Sequence, residues 1–233
     1  SRRRQRQMCI RDRVIAGFQG VNFENRIATL GRGASDYTAI MIAKFFKAKK
    51  CIIYTDVEGV MTTDPRIFKK AKKIKEISYE EMMEMSSLGS KVMQTNSVQD
   101  ARLNRININV QSSFNLKEGT LITKRKNIKS KKTIRGISST SDDAKITLVG
   151  VKDKPGIAAS IFEPLSKNNI NVDIVVQNIS ANGKETDITF TIKQNYLAKT
   201  IKLLKNNNKI IYKKILTDGN VSKVSIIGVG MIT

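Results

Sequence analysis

Between residues 124 and 144 the apolar periodicity of this chain lapses into a run of Lys, Ser, Thr and Asp, while the segments on either side alternate strand-like and helix-like patterns. Such a break divides a chain of 233 residues, 40% of them apolar, into two units small enough to fold around separate cores. Residues 124–144 are therefore expected to be a linker or domain boundary, with a new unit opening at Lys145.

Before the break, Val14–Gln19 and a segment through Ile27 to Leu30 predict two strands around a turn. A glycine-rich loop follows, then a helix over 36–47 capped by Ser35, with Ile40, Ala43 and Phe46 at helical spacing. Cys51–Tyr54 predicts a buried strand. Ser78 with Glu81 three residues on is a capping-box signature for a helix whose Met82, Met83 and Met85 are core residues rather than a cofactor box. A helix over 98–105, a strand over 106–111 and a strand ending at Ile122 complete an alternating α/β unit. After the break the order is strand (146–151), helix (157–168), strand (172–179), strand (187–193), helix (198–205) and strand (210–216), the βαββαβ order of a ferredoxin-like fold. A further strand over 221–229 begins something that the chain does not finish.

Composition narrows the chemistry. There is no histidine, which excludes Ser-His and Cys-His catalysis and His-ligated metals, and Cys9 and Cys51 match no metal-ligand spacing. No apolar run approaches a membrane span or a signal peptide, so a cytoplasmic, membrane-independent protein is expected. The net charge of +22 does not call for nucleic acid: residues 1–13 hold +5 of it, as six Arg and one Asp, leaving +17 spread as lysines without interleaved aromatics. The Arg-rich residues 1–13 differ from everything after them and are read as a non-native basic tail.

Two segments carry chemistry. Gly31-Arg32-Gly33-Ala34-Ser35-Asp36 lies between an extended segment and a helix, where free amides and the positive helix end favour an anion, and Arg and Ser add a clamp and a hydrogen bond. Alone, it is equally a structural turn. Tyr54-Thr55-Asp56-Val57-Glu58-Gly59-Val60 runs into Met61-Thr62-Thr63-Asp64-Pro65-Arg66: a strand delivering Thr and Asp to a long polar loop, where open α/β sheets place ligands. Alone, it is equally a solvated loop with an Asx turn.

Together these segments resemble the aspartate kinase branch of the amino acid kinase family, which carries a GRGGSD-type loop and a YTDVDGV-type stretch running on to TADPR. The resemblance covers about residues 14–233. It implies a partial amino acid kinase (carbamate kinase-like) α/β sandwich over 14–123, with Arg32, Gly33, Ala34 and Ser35 binding L-aspartate. Thr55, Asp56, Met61, Thr62, Thr63, Asp64, Pro65 and Arg66 are implied as nucleotide-binding, as is Lys91 in Leu88-Gly89-Ser90-Lys91-Val92. ATP would phosphorylate the β-carboxylate of aspartate, with Mg2+ carried on the phosphates, a reaction that relies on positioning and charge neutralisation rather than a covalent nucleophile.

Departures accompany the match: Ala34 and Tyr37 replace the usual Gly and Thr, and Gln94-Thr95-Asn96 replaces a His-Pro-Arg. The family's N-terminal KFGGTS-type phosphate loop has no counterpart, so no catalytic residue is assigned and the polypeptide alone is expected not to turn over. In the second unit, Asp153-Lys154-Pro155-Gly156-Ile157-Ala158 and Asn171-Val172-Asp173 through Gln177-Asn178 resemble an ACT domain over 145–217, and 218–233 resembles the first strand of a second one. Those residues are implied to bind lysine or threonine as effector, at an interface between paired ACT domains of a homo-oligomer or of two aspartokinase chains. The alternative within the family is a non-catalytic, effector-binding regulatory polypeptide.

Overall fold

The structure is a computed structural model and describes residues 13–31, 33–90, 92–115, 117–128, 133–179 and 185–228. The basic residues 1–12 lie outside them. The chain forms two compact units: one groups residues up to Ser138 with those from Ser225 onward, and the other is Ser139–Val224.

In the first unit a short antiparallel hairpin, β1 (Gln19–Val21) and β2 (Ile27–Thr29), leads into helix α1 (Ala34–Phe45). Then come β3 (Lys50–Thr55), β4 (Glu76–Ser78), α2 (Tyr79–Ser87), α3 (Thr95–Leu103), β5 (Asn107–Ser112) and β6 (Thr120–Thr123). The sheet order is β3-β5-β6-β4, with β3 parallel to β5, β6 antiparallel to β5, and β4 parallel to β6. One face carries the core: Ile108, Val110, Ile122 and Ile77 pack with Ile40 of α1, Met82 and Met85 of α2, and Val98 and Ala101 of α3. Met82 and Met85 are thus core residues, Met82 fully buried, while Met83 is partly buried against the same cluster.

Local chemistry accounts for the helix starts. The capping box of α2 is complete: the Glu81 amide donates to Ser78 Oγ (3.2 Å) and the Ser78 amide donates to Glu81 Oε2 (2.9 Å). At α1 the expectation of a Ser35 cap is corrected. The cap position is Gly33, with no side-chain cap, because its left-handed backbone (φ 75°) turns the chain into the helix two residues earlier.

The second unit is built on a four-stranded sheet of order β10-β7-β9-β8: β7 (Gly136–Lys152), β8 (Val172–Ile179), β9 (Glu185–Lys193) and β10 (Lys214–Ile227). Helices α4 (Ile157–Lys167) and α5 (Leu197–Lys205) supply Ile157, Ile161, Leu165 and Leu204 to a core with Ile146, Leu148, Ile188 and Phe190. Element order and strand order are those of a ferredoxin-like βαββαβ domain.

Two expectations about boundaries change. The stretch 124–144 is not irregular throughout: it holds a 3-10 turn at Arg125–Asn127 and the first nine residues of β7. Hydropathy misses this strand because its inward groups are polar and satisfied by hydrogen bonds: Ser138 Oγ donates to the Leu88 carbonyl, Thr140 Oγ1 to Asp143 Oδ2, and Lys193 Nζ to Asp143 Oδ1. Likewise the strands expected over 210–216 and 221–229 are one strand, which begins only at Lys214 and ends at Ile227, and residues 229–233 lie outside the described residues. Among the described residues no helix is long and apolar enough to cross a membrane.

Candidate functional site

Parallel pairing of β3 with β5 places Thr55 beside Ser112, so both strands end at one edge of the sheet. Helices α1 and α3 precede these strands and run back along them, which brings both helix N-termini to that same edge, where open α/β sheets bind ligands. Gly33 and Gln94 are in contact there: a Cβ on Gly33 would lie 2.6 Å from Gln94 Nε2. The Gln94 backbone N–H donates to the Asp36 carboxylate.

The loop before α1 is held from behind. Gly31 and Gly33 both have left-handed backbones (φ 93° and 75°), and the Ala34 amide donates to the Gly31 carbonyl (3.3 Å). Thr38 Oγ1 donates to the Ala34 carbonyl (2.9 Å) and accepts from the Phe18 amide (3.2 Å), which ties the hairpin to the helix. Ala34 is buried, Ser35 is exposed in the first turn, and Arg32 lies outside the described residues. Burial pushes the Asp36 carboxyl above its ordinary range, opposed by the Gln94 amide. Burial, with the nearby Asp36 charge, also pushes the Cys51 thiol up, which disfavours its thiolate.

At the end of β3, Thr55 Oγ1 donates to Asp56 Oδ1 (3.0 Å) and the Ser113 amide donates to the Thr55 carbonyl (2.8 Å). Glu58, at the surface, lies below the ordinary carboxylate range because Lys117 donates to it. The loop that follows is structured. Val60 is buried and its amide donates to Thr120 Oγ1 (2.8 Å), whose own hydroxyl donates to the Ile74 carbonyl (2.6 Å). Met61 bridges Lys73, and Thr62 exchanges two hydrogen bonds with Lys72, from its amide (2.8 Å) and to its hydroxyl (3.0 Å). Asp64 caps the turn: it accepts from the Arg66 amide (2.9 Å) and grips the Arg66 guanidinium (2.6 Å), so Pro65 and Arg66 stand exposed on a fixed turn beyond Thr63. Lys91 lies outside the described residues. The turn before it is ordered, with the Ser90 amide donating to the Met85 carbonyl (2.9 Å).

The structure thus brings Gly33, Ala34 and Ser35 to the sheet edge that bears Thr55 and Asp56. Asp36 and Gln94 belong to the same constellation and are absent from the sequence assignment. The signal for Asp36 is its place as the last residue of the GRGASD segment; Gln94 is legible only as a departure from the family pattern. An apolar cavity of about 450 Å³, lined by Ile15, Gln19, Leu30, Tyr37, Thr38, Met41, Ile42, Phe45 and Phe46, lies along the outer side of α1. With no charged group in its lining, it suits neither aspartate nor a nucleotide.

In the second unit the predicted effector residues fall into two groups. Gly156 (φ 84°) starts α4 with open space around its Cα; Asp153, Lys154, Pro155 and Ala158 are exposed, while Ile157 is buried. Val151 and Ile179 both pair with Thr186, so Gln177 and Asn178, near the end of β8, lie at the level of this loop. Val172 and Ala144 both pair with Ile192, so Asn171, Val172 and Asp173 lie at the opposite end of the sheet, roughly 20 Å away at strand rise. Asp173 is ion-paired with Lys223 of β10.

Residues 11–112 match the model of the amino acid kinase family, and residues 146–207 match that of an ACT domain. The chain thus joins an amino acid kinase segment to an ACT segment. It is 46% identical over 220 residues to aspartate kinase of Pseudomonas putida, covering 94% of this chain and 53% of that protein. It is 45% identical over 226 residues to aspartokinase of Helicobacter pylori, at 94% and 54% coverage. The chain therefore spans about half the length of the curated relatives it matches. Among solved structures it resembles E. coli aspartokinase III in complex with lysine and aspartate, with TM-score 0.71, 29% identity, and coverage of 91% of this chain and 47% of that one. The same coverage and score relate it to that enzyme in complex with aspartate and ADP. A TM-score of 0.79 to the Clostridium acetobutylicum aspartate kinase, at 24% identity, concerns the fold.

Proposed function

We propose that this chain supplies the aspartate-binding and nucleotide-binding walls, and the sensor, of an aspartate kinase that transfers the γ-phosphoryl group of ATP to the β-carboxylate of L-aspartate. The observation that carries this reading is the meeting of two helix N-termini, at Gly33–Ser35 and Gln94, with the Thr55–Asp56 end of β3 at one sheet edge. The positive ends of such helices favour the anionic substrate. The exposed Ser35 hydroxyl and the Arg32 guanidinium add hydrogen bonds to a carboxylate. Thr55 and Asp56, with the fixed turn Met61–Arg66 and Lys91, take the nucleotide, and Mg2+ enters as part of the MgATP substrate. Acceleration then comes from holding two anions in line and neutralising charge, a task these residues perform without a nucleophile.

The ACT domain takes lysine or threonine, Gly156 opening a helix N-terminus to the carboxylate, and pairs with another ACT domain in a cytoplasmic oligomer. Residues 218–233 are assigned to the beginning of a second such domain. The test uses the full-length protein: aspartyl phosphate trapped as its hydroxamate should form with aspartate and not with glutamate, and calorimetry should show binding of lysine or of threonine. Hydroxamate formation with glutamate alone would overturn the substrate, and binding of neither amino acid would overturn the sensor.

A further inference from the structure

Gln94 stands at the N-cap position of α3, yet its side chain makes no capping hydrogen bond there. Glutamine is not among the residues that cap well, so the start of the helix does not account for it. The side chain lies over the glycine loop instead. A Cβ on Gly33 would lie 2.6 Å from Gln94 Nε2 and 2.9 Å from both its Cδ and its Cγ, so stem and amide together fill the space that a side chain at Gly33 would need. The Gln94 backbone N–H donates to the Asp36 carboxylate, so one residue of α3 reaches both Gly33 and Asp36. Its own backbone is fixed: Met93 before it is buried in the core, and the Val98 amide donates to the Gln94 carbonyl (3.2 Å).

The loop needs a support of this kind. Gly31 and Gly33 both carry left-handed backbones (φ 93° and 75°), and glycine passes readily between left- and right-handed conformations. The turn that the Ala34 amide closes on the Gly31 carbonyl is long for a hydrogen bond, at 3.3 Å. A Cβ on Gly31 would meet nothing within 4 Å, and Ser35 is exposed, so the loop is packed at Gly33 and open at Gly31 and Ser35. We infer that Gln94 is a positioning residue for aspartate: its side chain holds Gly33 and its amide holds Asp36, which keeps Gly33–Ser35 in the one conformation that receives the substrate carboxylate. The inference rests on the assignment of Gly33–Ser35 to aspartate. The side chain acts by filling space, since its carbons press on the glycine along with its nitrogen, and an unbranched apolar side chain of similar length can therefore stand in for it.

The test compares Gln94→Ala with Gln94→Met in the full-length protein. Because the side chain does not cap α3, both variants should melt as the wild type does. In Gln94→Ala the kcat/KM for aspartate should fall about tenfold, the effect of returning one residue's backbone freedom to the loop, while the KM for ATP changes less than about twofold. Gln94→Met refills the space and should bring the aspartate constants back to within about twofold of the wild type, a rescue that a hydrogen-bonding role of the side chain would not permit. Amide exchange by mass spectrometry should be faster over Gly31–Asp36 in Gln94→Ala than in Gln94→Met. Unchanged aspartate constants in Gln94→Ala, aspartate and ATP constants that move together, or a Gln94→Met variant as impaired as Gln94→Ala each overturn the inference. A wild type that forms no aspartyl phosphate sinks the proposed reaction instead. The support of the loop is then decided by exchange alone: faster exchange in Gln94→Ala upholds it, and equal exchange in the two variants overturns it. If Gln94→Ala fails to fold, Gln94→Asn, which shortens the side chain but caps a helix well, carries the same comparison with Gln94→Met.

Discussion

Replacing Glu81 tests how the first unit is held together. One carboxylate serves two purposes: Oε2 accepts from the Ser78 amide (2.9 Å) and hydroxyl (2.8 Å), and Oε1 accepts from Arg125 (3.3 Å) and Arg135 (3.2 Å). The Glu81 side chain is 3% exposed and that of Arg135 4%, against 44% for Arg125. Losing the cap alone costs about 1 kcal/mol, the expected effect of Ser78→Ala. Removing the carboxylate from a buried guanidinium costs about 3–5 kcal/mol. Glu81→Ala should lose both contributions, about 4–6 kcal/mol, and Glu81→Gln about 3 kcal/mol, since the amide oxygen can still accept at the cap. Arg125→Ala, at a half-exposed pair, should stay within about 1 kcal/mol. The double variant Glu81→Met with Arg135→Met should recover most of the loss, because the desolvation cost of the pair disappears with it. A chain of two units need not unfold in one step, so the readout is amide exchange of α2 by mass spectrometry, with α4 as internal reference. If Glu81→Gln costs no more than Ser78→Ala, or if the double variant loses the sum of the singles, the buried pair is not what holds this corner.

Gly33→Ala must accept a left-handed backbone (φ 75°) and a Cβ 2.6 Å from Gln94, whereas Gly156→Ala meets only the backbone strain (φ 84°). The first should therefore destabilise by roughly 2–3 kcal/mol and the second by about 1 kcal/mol in urea melts, with Gln94→Ala relieving part of the first. The Tyr79 hydroxyl, held up to about 12 by burial and by Glu80 and donating to the Ile106 carbonyl (2.7 Å), should be missing from the rise in 295 nm absorbance near pH 10. Burial pushes the Asp143 carboxyl up, but hydrogen bonds from Lys193 and Thr140 outweigh it and leave the group below its ordinary value. Its contribution is present above the unfolded value of about 3.9 and lost as pH falls through the folded one. Asp143→Asn should lower the stability of the second unit at pH 7 and flatten its acid limb between about pH 5 and 2, measured by exchange in β9.

Much of this was legible in one dimension. Local chemistry determined the Ser78–Glu81 capping box, the methionine core of α2, the βαββαβ order of the second unit and the glycine loop ahead of α1, because each depends on residues within a few positions of one another. The GRGASD and YTDVEGV segments also carried the family resemblance, since a loop motif keeps its spacing along the chain. What only the tertiary structure decided is long-range. That Gln94 sits on Gly33 follows from parallel pairing of β3 with β5, which no local pattern encodes. That β7 begins at Gly136 depends on polar partners at Leu88, Asp143 and Lys193, which make a strand out of a sequence with no apolar alternation. The separation of Asp173 from Asp153–Ala158 along the sheet is likewise fixed by strand register, since α4 carries the chain back to the far end of β7 before β8 starts.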